Sequence, residues 1–283
     1  MDQISSFIFE ELPIRGVIVK LSTVTKEILS KQKYPPVIER LLSEALIAIV
    51  MLFSLSKESG KMTLQFQSPT DTQSPLKLLS VRCTFDRKLR ALAQWDNLLW
   101  DDQLSFKDLM DHGNLVMTYQ PDSCLDLFQS IIPLESNSLS ESIEAYFTQS
   151  DQIKTYLHIA SQNQEASGIM LQLMPDQDLD KQEESFSHVT TLAKTLKDSE
   201  LLEDTADQVL FKLFNQDLVR VFEPKALYFG CGCSLEKMQD AIRSMGLEEA
   251  NKTLQEHGYI QVKCEFCKST YDFAQGEVEK LFS

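Results

Sequence analysis

Two pairs of closely spaced cysteines near the C-terminus constrain this chain more than any other feature. Cys231 and Cys233 are separated by one residue, and Cys264 and Cys267 by two. Two such pairs can place four thiolates around one ion, which gives a closed tetrahedral site with Zn–S distances of about 2.3 Å and no position for a substrate. Thiolates favour zinc or iron–sulfur over magnesium or calcium. We therefore predict that these four cysteines bind one Zn²⁺ ion.

Other interpretations of the same cysteines remain open at this point. Four thiolates can also hold an iron–sulfur cluster, and the site can be purely structural. A CxxC sequence can be a thioredoxin-type redox pair, although that pair normally opens a helix after a strand. His257 is an alternative ligand candidate that lies near the pairs in sequence, whereas Cys83 and Cys124 are expected to be incidental.

The tail, residues 226–283, has few large apolar residues from which to build a core. Its pattern predicts a helix from Ser234 to Met245, a helix from Leu247 towards Gly258, and strands at Tyr259–Val262 and Tyr271–Phe273. A segment of this size buries too little surface to fold unaided. A structural zinc ion supplies on the order of 10–16 kcal/mol at neutral pH. We therefore expect the tail to fold only with its metal.

Residues 1–175 mix strand and helix patterns, which predicts an N-terminal α+β domain with a β-sheet. Short apolar or alternating runs predict strands at Val17–Leu21, Met62–Gln67, Leu76–Val81, Leu89–Ala93 and Gly168–Met174. Pro35 and Pro36 open a long helix. Its apolar residues recur at helical spacing: Val37, Leu41, Ala45, Ala48 and Leu52. A second helix is predicted to start at Ser138, which with Glu141 forms a capping-box pattern.

Residues 176–225 are predicted to be an acidic, amphipathic, helical linker. Between positions 176 and 217 the chain has 11 acidic and 4 basic residues, a net charge of −7. One apolar stripe contains Phe186, Val189, Leu192, Ala193 and Leu196. After a cap expected at Asp198, a second helix contains Leu202, Val209, Leu213 and Phe214. These helices either pack permanently on a core or cover an apolar surface that can be released.

The composition of the chain excludes several classes of function. A net charge of −15 argues against a nucleic-acid partner, which would need clustered Lys and Arg. The N-terminus does not resemble a signal peptide, and the longest apolar stretch, 45–53, is about half of the ~20 residues that cross a bilayer. We therefore expect a cytoplasmic protein with no membrane partner, in which reduced thiols bind metal.

The sequence gives no positive sign of an enzyme. It contains no Ser-His-Asp arrangement, no phosphate-binding glycine loop and no helical H-E-x-x-H motif. His112, His158 and His188 have no partner pattern, and Trp95 and Trp100 are expected to be partly buried packing residues. We expect a binding protein without a catalytic residue.

Several motifs, taken together, resemble the redox-regulated 33-kDa heat-shock chaperone (chaperonin) family, heat shock protein 33. In the tail they are the segments 229–234, 246–249, 258–260, 264–267 and 271–273. Upstream they are Arg15-Gly16, Tyr34-Pro35, 41–44, 75–79, 146–150, 171–175, Leu213-Phe214 and 220–224. The chain departs from the family at Ser43, Ala91 and Ser130, where glycine is usual, in the 67–74 turn, and at Leu235, where arginine is common. None of these positions is a predicted metal ligand.

The resemblance implies an ATP-independent holdase for unfolded or aggregation-prone proteins that is inactive when reduced and zinc-bound. It further implies that oxidative stress activates the protein by forming the disulfides Cys231–Cys233 and Cys264–Cys267. In such a mechanism zinc leaves, the tail and the linker unfold, and apolar surface becomes exposed. The family also implies a homodimer on activation. The alternative is a zinc-stabilised adaptor that binds one folded partner without redox switching.

Overall fold

The computed structural model describes residues 2–56, 58–67, 74–97, 104–110, 113–175 and 179–282. Trp100, His112 and most of the 67–74 turn lie outside these ranges. The chain divides into two compact units, Met1–Phe229 and Gly230–Ser283. No helix in the described ranges combines the length and the hydropathy that a bilayer crossing requires.

The first unit contains two sheets and a set of helices. Its strands are β1 (Gln3–Phe9), β2 (Ile14–Leu21), β3 (Gly60–Gln67), β4 (Leu76–Thr84), β5 (Lys88–Trp95), β6 (Asn114–Pro121), β7 (Phe128–Pro133), β8 (Thr155–Gln162), β9 (Glu165–Leu173), β10 (Val219–Val221), β11 (Lys225–Ala226) and β12 (Tyr228–Phe229). Its helices are α1 (Thr23–Leu29), α2 (Pro36–Ser54), α3 (Phe106–Met110), α4 (Leu139–Tyr146), α5 (Leu179–Ala193), α6 (Asp198–Glu203) and α7 (Ala206–Phe214), and a π-helical turn (Phe147–Asp151) follows α4.

The two sheets are mostly antiparallel. The first has the order β10-β1-β2-β9-β8, with β11 also paired to β1, and the second has the order β12-β5-β4-β3-β6-β7. β12 is the exception, because it pairs with β5 in parallel. The predicted strands fall within β2, β3, β4, β5 and β9, except that Met174 lies just beyond the end of β9. The predicted α+β fold class is confirmed.

Helix α2 forms the centre of the main core. It begins at Pro36, as the proline pair predicts, and contacts strands of both sheets. Leu42, Leu46, Ile47 and Ile49 are completely buried. Ser43, one of the departures from the family pattern, is accommodated because its Oγ donates a 2.7 Å hydrogen bond to the carbonyl oxygen of Glu39.

The predicted linker helices cover the opposite face of the first sheet. Side chains alternate between the two faces of a strand, so Val17 and Val19 of β2 face the α2 core while Ile14 and Ile18 face a second core. That second core is completed by the helices α5, α6 and α7 and the connection between α5 and α6. Their buried members are Val189, Ala193, Leu196, Leu201, Ala206, Val209, Leu210, Leu213 and Phe214. Phe186 and Leu192 are partly buried against it.

The second linker helix of the sequence analysis is in fact two helices, and its expected cap was wrong. The N-cap of α6 is Lys197, and Asp198 is its first helical residue. The chain breaks at Asp204 and restarts at Thr205, whose Oγ1 accepts a 3.3 Å hydrogen bond from the Gln208 backbone N–H. The segment also contributes β10 and β11, which pair with β1.

The second unit is small and has a correspondingly small core. It contains α8 (Leu235–Met245), α9 (Leu247–His257), β13 (Tyr259–Lys263), β14 (Thr270–Ala274) and α10 (Gln275–Glu279). The sequence patterns predicted the first four of these elements but not α10. The buried apolar core is Ile242, Ala250, Leu254, Ile260, Phe273 and Val278. The division into domain, linker and tail at 175 and 225 stays a prediction, because packing alone does not show which elements can separate.

Candidate metal centre

The four predicted ligands meet at one point of the second unit. The Sγ atoms of Cys231, Cys233, Cys264 and Cys267 all lie within 4.8 Å of one another. The Cys231–Cys264 and Cys233–Cys267 sulfur pairs are 3.3 and 3.4 Å apart. A tetrahedron with Zn–S bonds of about 2.3 Å has sulfur–sulfur edges of about 3.8 Å, so the cluster has close to the dimensions that one zinc ion requires.

The first pair sits in a turn that leads into helix α8. Gly232 has a φ of +67°, a left-handed conformation that glycine adopts without strain. Ser234 then caps α8, because its Oγ accepts a 3.3 Å hydrogen bond from the Lys237 backbone N–H. The Lys237 ammonium donates a hydrogen bond to the Gly232 carbonyl oxygen. This turn and helix start bring both sulfurs of a CxC sequence to the same side.

The second pair sits in the turn of the β13–β14 hairpin. The Cys264 backbone N–H donates a 2.8 Å hydrogen bond to the Ser269 carbonyl oxygen, and the Lys268 N–H donates one of the same length to the Cys264 carbonyl oxygen. Lys268 has a φ of 61°, which lets the chain reverse within a few residues. The CxxC therefore lies between antiparallel strands and not at the start of a helix, which argues against a thioredoxin-type pair.

Two hydroxyl groups contact the sulfur cluster. Tyr271 of β14 places its Oη 3.4 Å from the Sγ of Cys233, and Ser269 places its Oγ 3.4 Å from the Sγ of Cys267. Metal ligands are commonly held in place by hydrogen bonds with neighbouring groups. The sequence analysis did not identify either hydroxyl, although Ser269 directly precedes β14 and Tyr271 is the second residue of that strand.

The environment acts on the cysteine pKa values in opposite directions. Burial raises the pKa of Cys231 to about 12. Burial also acts to raise the pKa of Cys267, but hydrogen bonds with Ser269, Cys233 and Cys264 together outweigh it and bring this pKa to about 6. The hydrogen bond to Cys233 raises the pKa of Tyr271 to about 12. Four sulfurs this close cannot all ionise without a cation between them, because like charges at such distances repel strongly.

The arrangement can hold a metal ion, and the donor set consists of sulfur alone. Among the described residues, no histidine or carboxylate joins the cluster. His257 ends α9 with its side chain largely exposed. None of the six cysteines forms a disulfide, and the two outside the cluster lie in the first unit, with Cys83 buried in β4 and Cys124 exposed between β6 and β7. Burial raises the pKa of Cys83 to about 12, which makes that thiol unreactive.

Comparison with known proteins identifies the family. A family model described as "Hsp33 protein" matches residues 2–274. The chain belongs to the Hsp33 family. Among Hsp33 relatives, the 33 kDa chaperonin of Methylobacillus flagellatus is 34% identical over 283 residues, covering 100% of this chain and 94% of the relative. The 33 kDa chaperonin of Neisseria meningitidis serogroup A is 37% identical over 279 residues, covering 98% and 90%.

The fold is also that of a solved Hsp33 structure. The crystal structure of an Hsp33 homologue from Thermotoga maritima superposes with a TM-score of 0.83 at 21% identity, covering 99% of this chain and 98% of the other. The resemblance drawn from the sequence motifs is therefore confirmed, and family membership supports a chaperone role for this chain. The four close cysteines are compatible with zinc binding and with disulfide formation.

Proposed function

We propose that this protein is an ATP-independent holdase of the cytoplasm whose activity is controlled by oxidation of the sulfur cluster. The observation that carries the proposal is the meeting of four Sγ atoms within 4.8 Å in a unit whose buried apolar core consists of six residues. Bound zinc would hold the sulfurs as thiolates and link the α8 turn to the β13–β14 hairpin. A unit with so small a core depends on that link for its stability.

Oxidation would remove the metal ligands in pairs. In each pair two thiolates give up two electrons to one hydrogen peroxide molecule, a sulfur–sulfur bond forms as the oxygen–oxygen bond breaks, and two protons from solvent complete the two water molecules that leave. We propose Cys264–Cys267 and Cys231–Cys233 as the pairs. A cysteine in a disulfide is a poor metal ligand, so the second unit would lose its main source of stability and unfold.

Unfolding of the second unit would then release the linker helices from the first sheet. Their buried residues and the sheet residues beneath them form an apolar surface. An apolar patch of several hundred Å² can bind unfolded chains, and burial at about 25 cal/mol per Å² can retain them without ATP. The acidic outer faces of these helices would keep the loaded complex soluble. We expect unfolded proteins as partners, no nucleic acid, and a homodimer in the active state.

The test is zinc release measured with a chromogenic chelator during peroxide treatment, together with light scattering of a heat-unfolded client. We expect one zinc ion per reduced chain, loss of that ion with peroxide, and protection of the client only after oxidation with mild heat. Zinc that stays bound under peroxide, with equal protection before and after treatment, would contradict the switch. That result would instead indicate an adaptor whose zinc is structural.

A further inference from the structure

Strand β7 ends the second sheet and leaves one backbone edge open. It pairs with β6 from Phe128 opposite Tyr119 to Pro133 opposite Asn114, and in the described part of the chain no strand pairs with its other side. In an antiparallel sheet, every second residue of an edge strand points its N–H and C=O groups away from the neighbouring strand. These groups can pair with the backbone of another extended chain.

The same edge exposes large apolar side chains. The exposed fraction is 93% for Leu125, 57% for Leu127, 58% for Phe128 and 60% for Ile131. Soluble proteins usually protect an edge strand with charged side chains or a covering element, but β7 contains no charged residue. We call residues 125–133 the β7 edge. A strand edge that has both unpaired backbone groups and exposed apolar side chains is suited to binding an extended apolar peptide.

The charges around the β7 edge select between kinds of partner. Asp122, Asp126 and Glu135 are exposed beside it, and no Lys, Arg or His occurs between positions 121 and 135. A second copy of this chain would bring the same acidic residues against them, and each chain carries a net charge of −15. Repulsion therefore disfavours pairing of two copies through this edge, whereas a segment with basic residues at its ends is attracted.

We propose that the β7 edge binds extended apolar segments with flanking basic residues in unfolded proteins, by adding them as a further strand beside β7. This inference rests on the proposed holdase function and adds a binding site and a binding mode to it. The β7 edge is exposed in a structure in which no cysteine forms a disulfide. We therefore expect the edge to bind single segments weakly in both redox states, while the linker surface released by oxidation adds the affinity that client protection requires.

The binding mode is tested with a fluorescein-labelled peptide of alternating valine and threonine with two lysines at each end. Its affinity for the reduced, full-length protein is measured by fluorescence anisotropy. A second peptide carries N-methyl groups on four consecutive central residues, which blocks both backbone edges and keeps the side chains. We expect binding at least tenfold weaker for the methylated peptide, and weaker binding when glutamates replace the lysines. Equal affinity of the methylated peptide would overturn strand addition.

The location is tested with Phe128→Ser and Ile131→Ser, and Phe85→Ser is a matched control. Phe85 lies in the turn between β4 and β5 and is also 58% exposed. We expect each β7 variant to weaken peptide binding about tenfold and the control to change it less than twofold. Unchanged affinity in both β7 variants, with circular dichroism spectra like that of the unaltered protein, would place the peptide elsewhere and overturn the proposal.

Two further measurements distinguish peptide binding at the β7 edge from self-association and from the proposed redox switch. Sedimentation of the reduced protein that shows a dimer abolished by Ile131→Ser would assign the edge to self-association and overturn the proposal. Zinc release and oxidant-dependent client protection are recorded on the same samples. Peptide binding without an oxidant response would contradict the proposed switch alone, and an oxidant response without peptide binding would overturn the β7 proposal alone.

Discussion

The hydroxyl group of Tyr271 contacts the Cys233 sulfur and should control its reactivity. A hydrogen bond donated to Cys233 draws electron density from the sulfur, so it should slow attack on peroxide and help hold the ligand in place. We predict that Tyr271→Phe speeds zinc release under peroxide about fivefold, since one hydrogen bond contributes about 1 kcal/mol. The chromogenic chelator assay measures this rate.

The matched control for this prediction is Tyr259→Phe. Tyr259 begins β13 in the same unit, and its side chain is 48% exposed. We expect this variant to release zinc at the unaltered rate. An equal acceleration in both variants would mean that losing any tyrosine loosens the unit, and would remove the specific role of Tyr271.

The ligand assignment gives a second prediction at this scale. Cys264 is the most buried of the four cluster cysteines, and the serine hydroxyl of Cys264→Ser is a poor ligand for zinc. We predict that this variant binds zinc at least 100-fold more weakly and is purified with much less than one zinc ion per chain. Cys83→Ser is the control, because that thiol is buried in β4 and should leave the zinc content unchanged. Elemental analysis of both proteins decides the assignment.

Glu44 makes the stability of the first unit depend on pH. Burial raises its pKa to about 7, partly offset by Arg40 and by the 3.5 Å hydrogen bond from Ser161. The folded chain therefore holds this proton more tightly than the unfolded chain. Ionisation of Glu44 therefore destabilises the folded chain. This cost is absent below about pH 4.5, grows as the pH rises, and reaches its full size of about 3 kcal/mol above about pH 7.

We predict that Glu44→Gln raises the melting temperature at pH 8 and has little effect at pH 5. The neutral amide removes the cost of ionisation, and the nearby Asp198 no longer faces a second carboxylate. Thermal melts of the reduced protein followed by circular dichroism measure the effect, and Glu27→Gln on the exposed face of α1 is the control. A gain of the same size at both pH values would show that Glu44 is not the titrating group.

The roles of individual side chains could be predicted from the sequence only where the residues concerned are closely spaced along the chain. The cysteine pairs are close in sequence, so their meeting at one point could be predicted. Tyr271 and Glu44 act through packing between distant segments, as when Glu44 of α2 meets Ser161 of β8 and Asp198 of α6. No local pattern in the sequence carries that information.

Lys20 of β2 links helix α6 to the first sheet through hydrogen bonds. Its ammonium donates hydrogen bonds of 2.7 and 3.2 Å to the carbonyl oxygens of Leu201 and Leu202 at the end of α6. Cations commonly satisfy the last carbonyls of a helix in this way. Lys20→Met should therefore loosen the linker by about 1–2 kcal/mol.

We predict that reduced Lys20→Met protein binds a hydrophobic fluorescent dye at a temperature several degrees lower than the unaltered protein. Lys26→Met is the control, because Lys26 forms an exposed ion pair with Glu165 that contributes little. If both variants begin to bind dye at the unaltered temperature, the Lys20 bonds do not hold the linker in place.

Elements with a strong local signal were predictable, and elements defined by their neighbours were not. The proline pair marked the start of α2, and Gly246 and Gly258 marked the ends of α8 and α9. The break before α7 also had a readable signal, since Thr205 and Gln208 form a capping box. The short strands β10, β11 and β12 have none, because two or three residues become a strand only through pairing with β1 or β5.

The two units differ in the size of their apolar cores, so we expect the folding of the second unit to depend on metal and that of the first unit not to. The first unit has two extended apolar cores, and the second has six buried apolar residues. We predict that a high-affinity zinc chelator under reducing conditions lowers hydrogen-exchange protection in residues 230–283 at least 100-fold and leaves the sheets of the first unit protected. Mass spectrometry of peptides from both units measures this, and added zinc should restore the protection. Full protection of the metal-free tail would contradict the prediction.

The route by which the chain leaves the first unit also has a mechanical consequence. Moving backward from Gly230, the chain is attached through Tyr228–Phe229, then Lys225–Ala226, then Val219–Val221, and only then through helix α7. Tension applied at Gly230 would load these attachments one after another, each held by very few hydrogen bonds. The helices would be reached last, so a brief or weak pull would be absorbed by strands that can re-form, and only a sustained one would uncover the sheet.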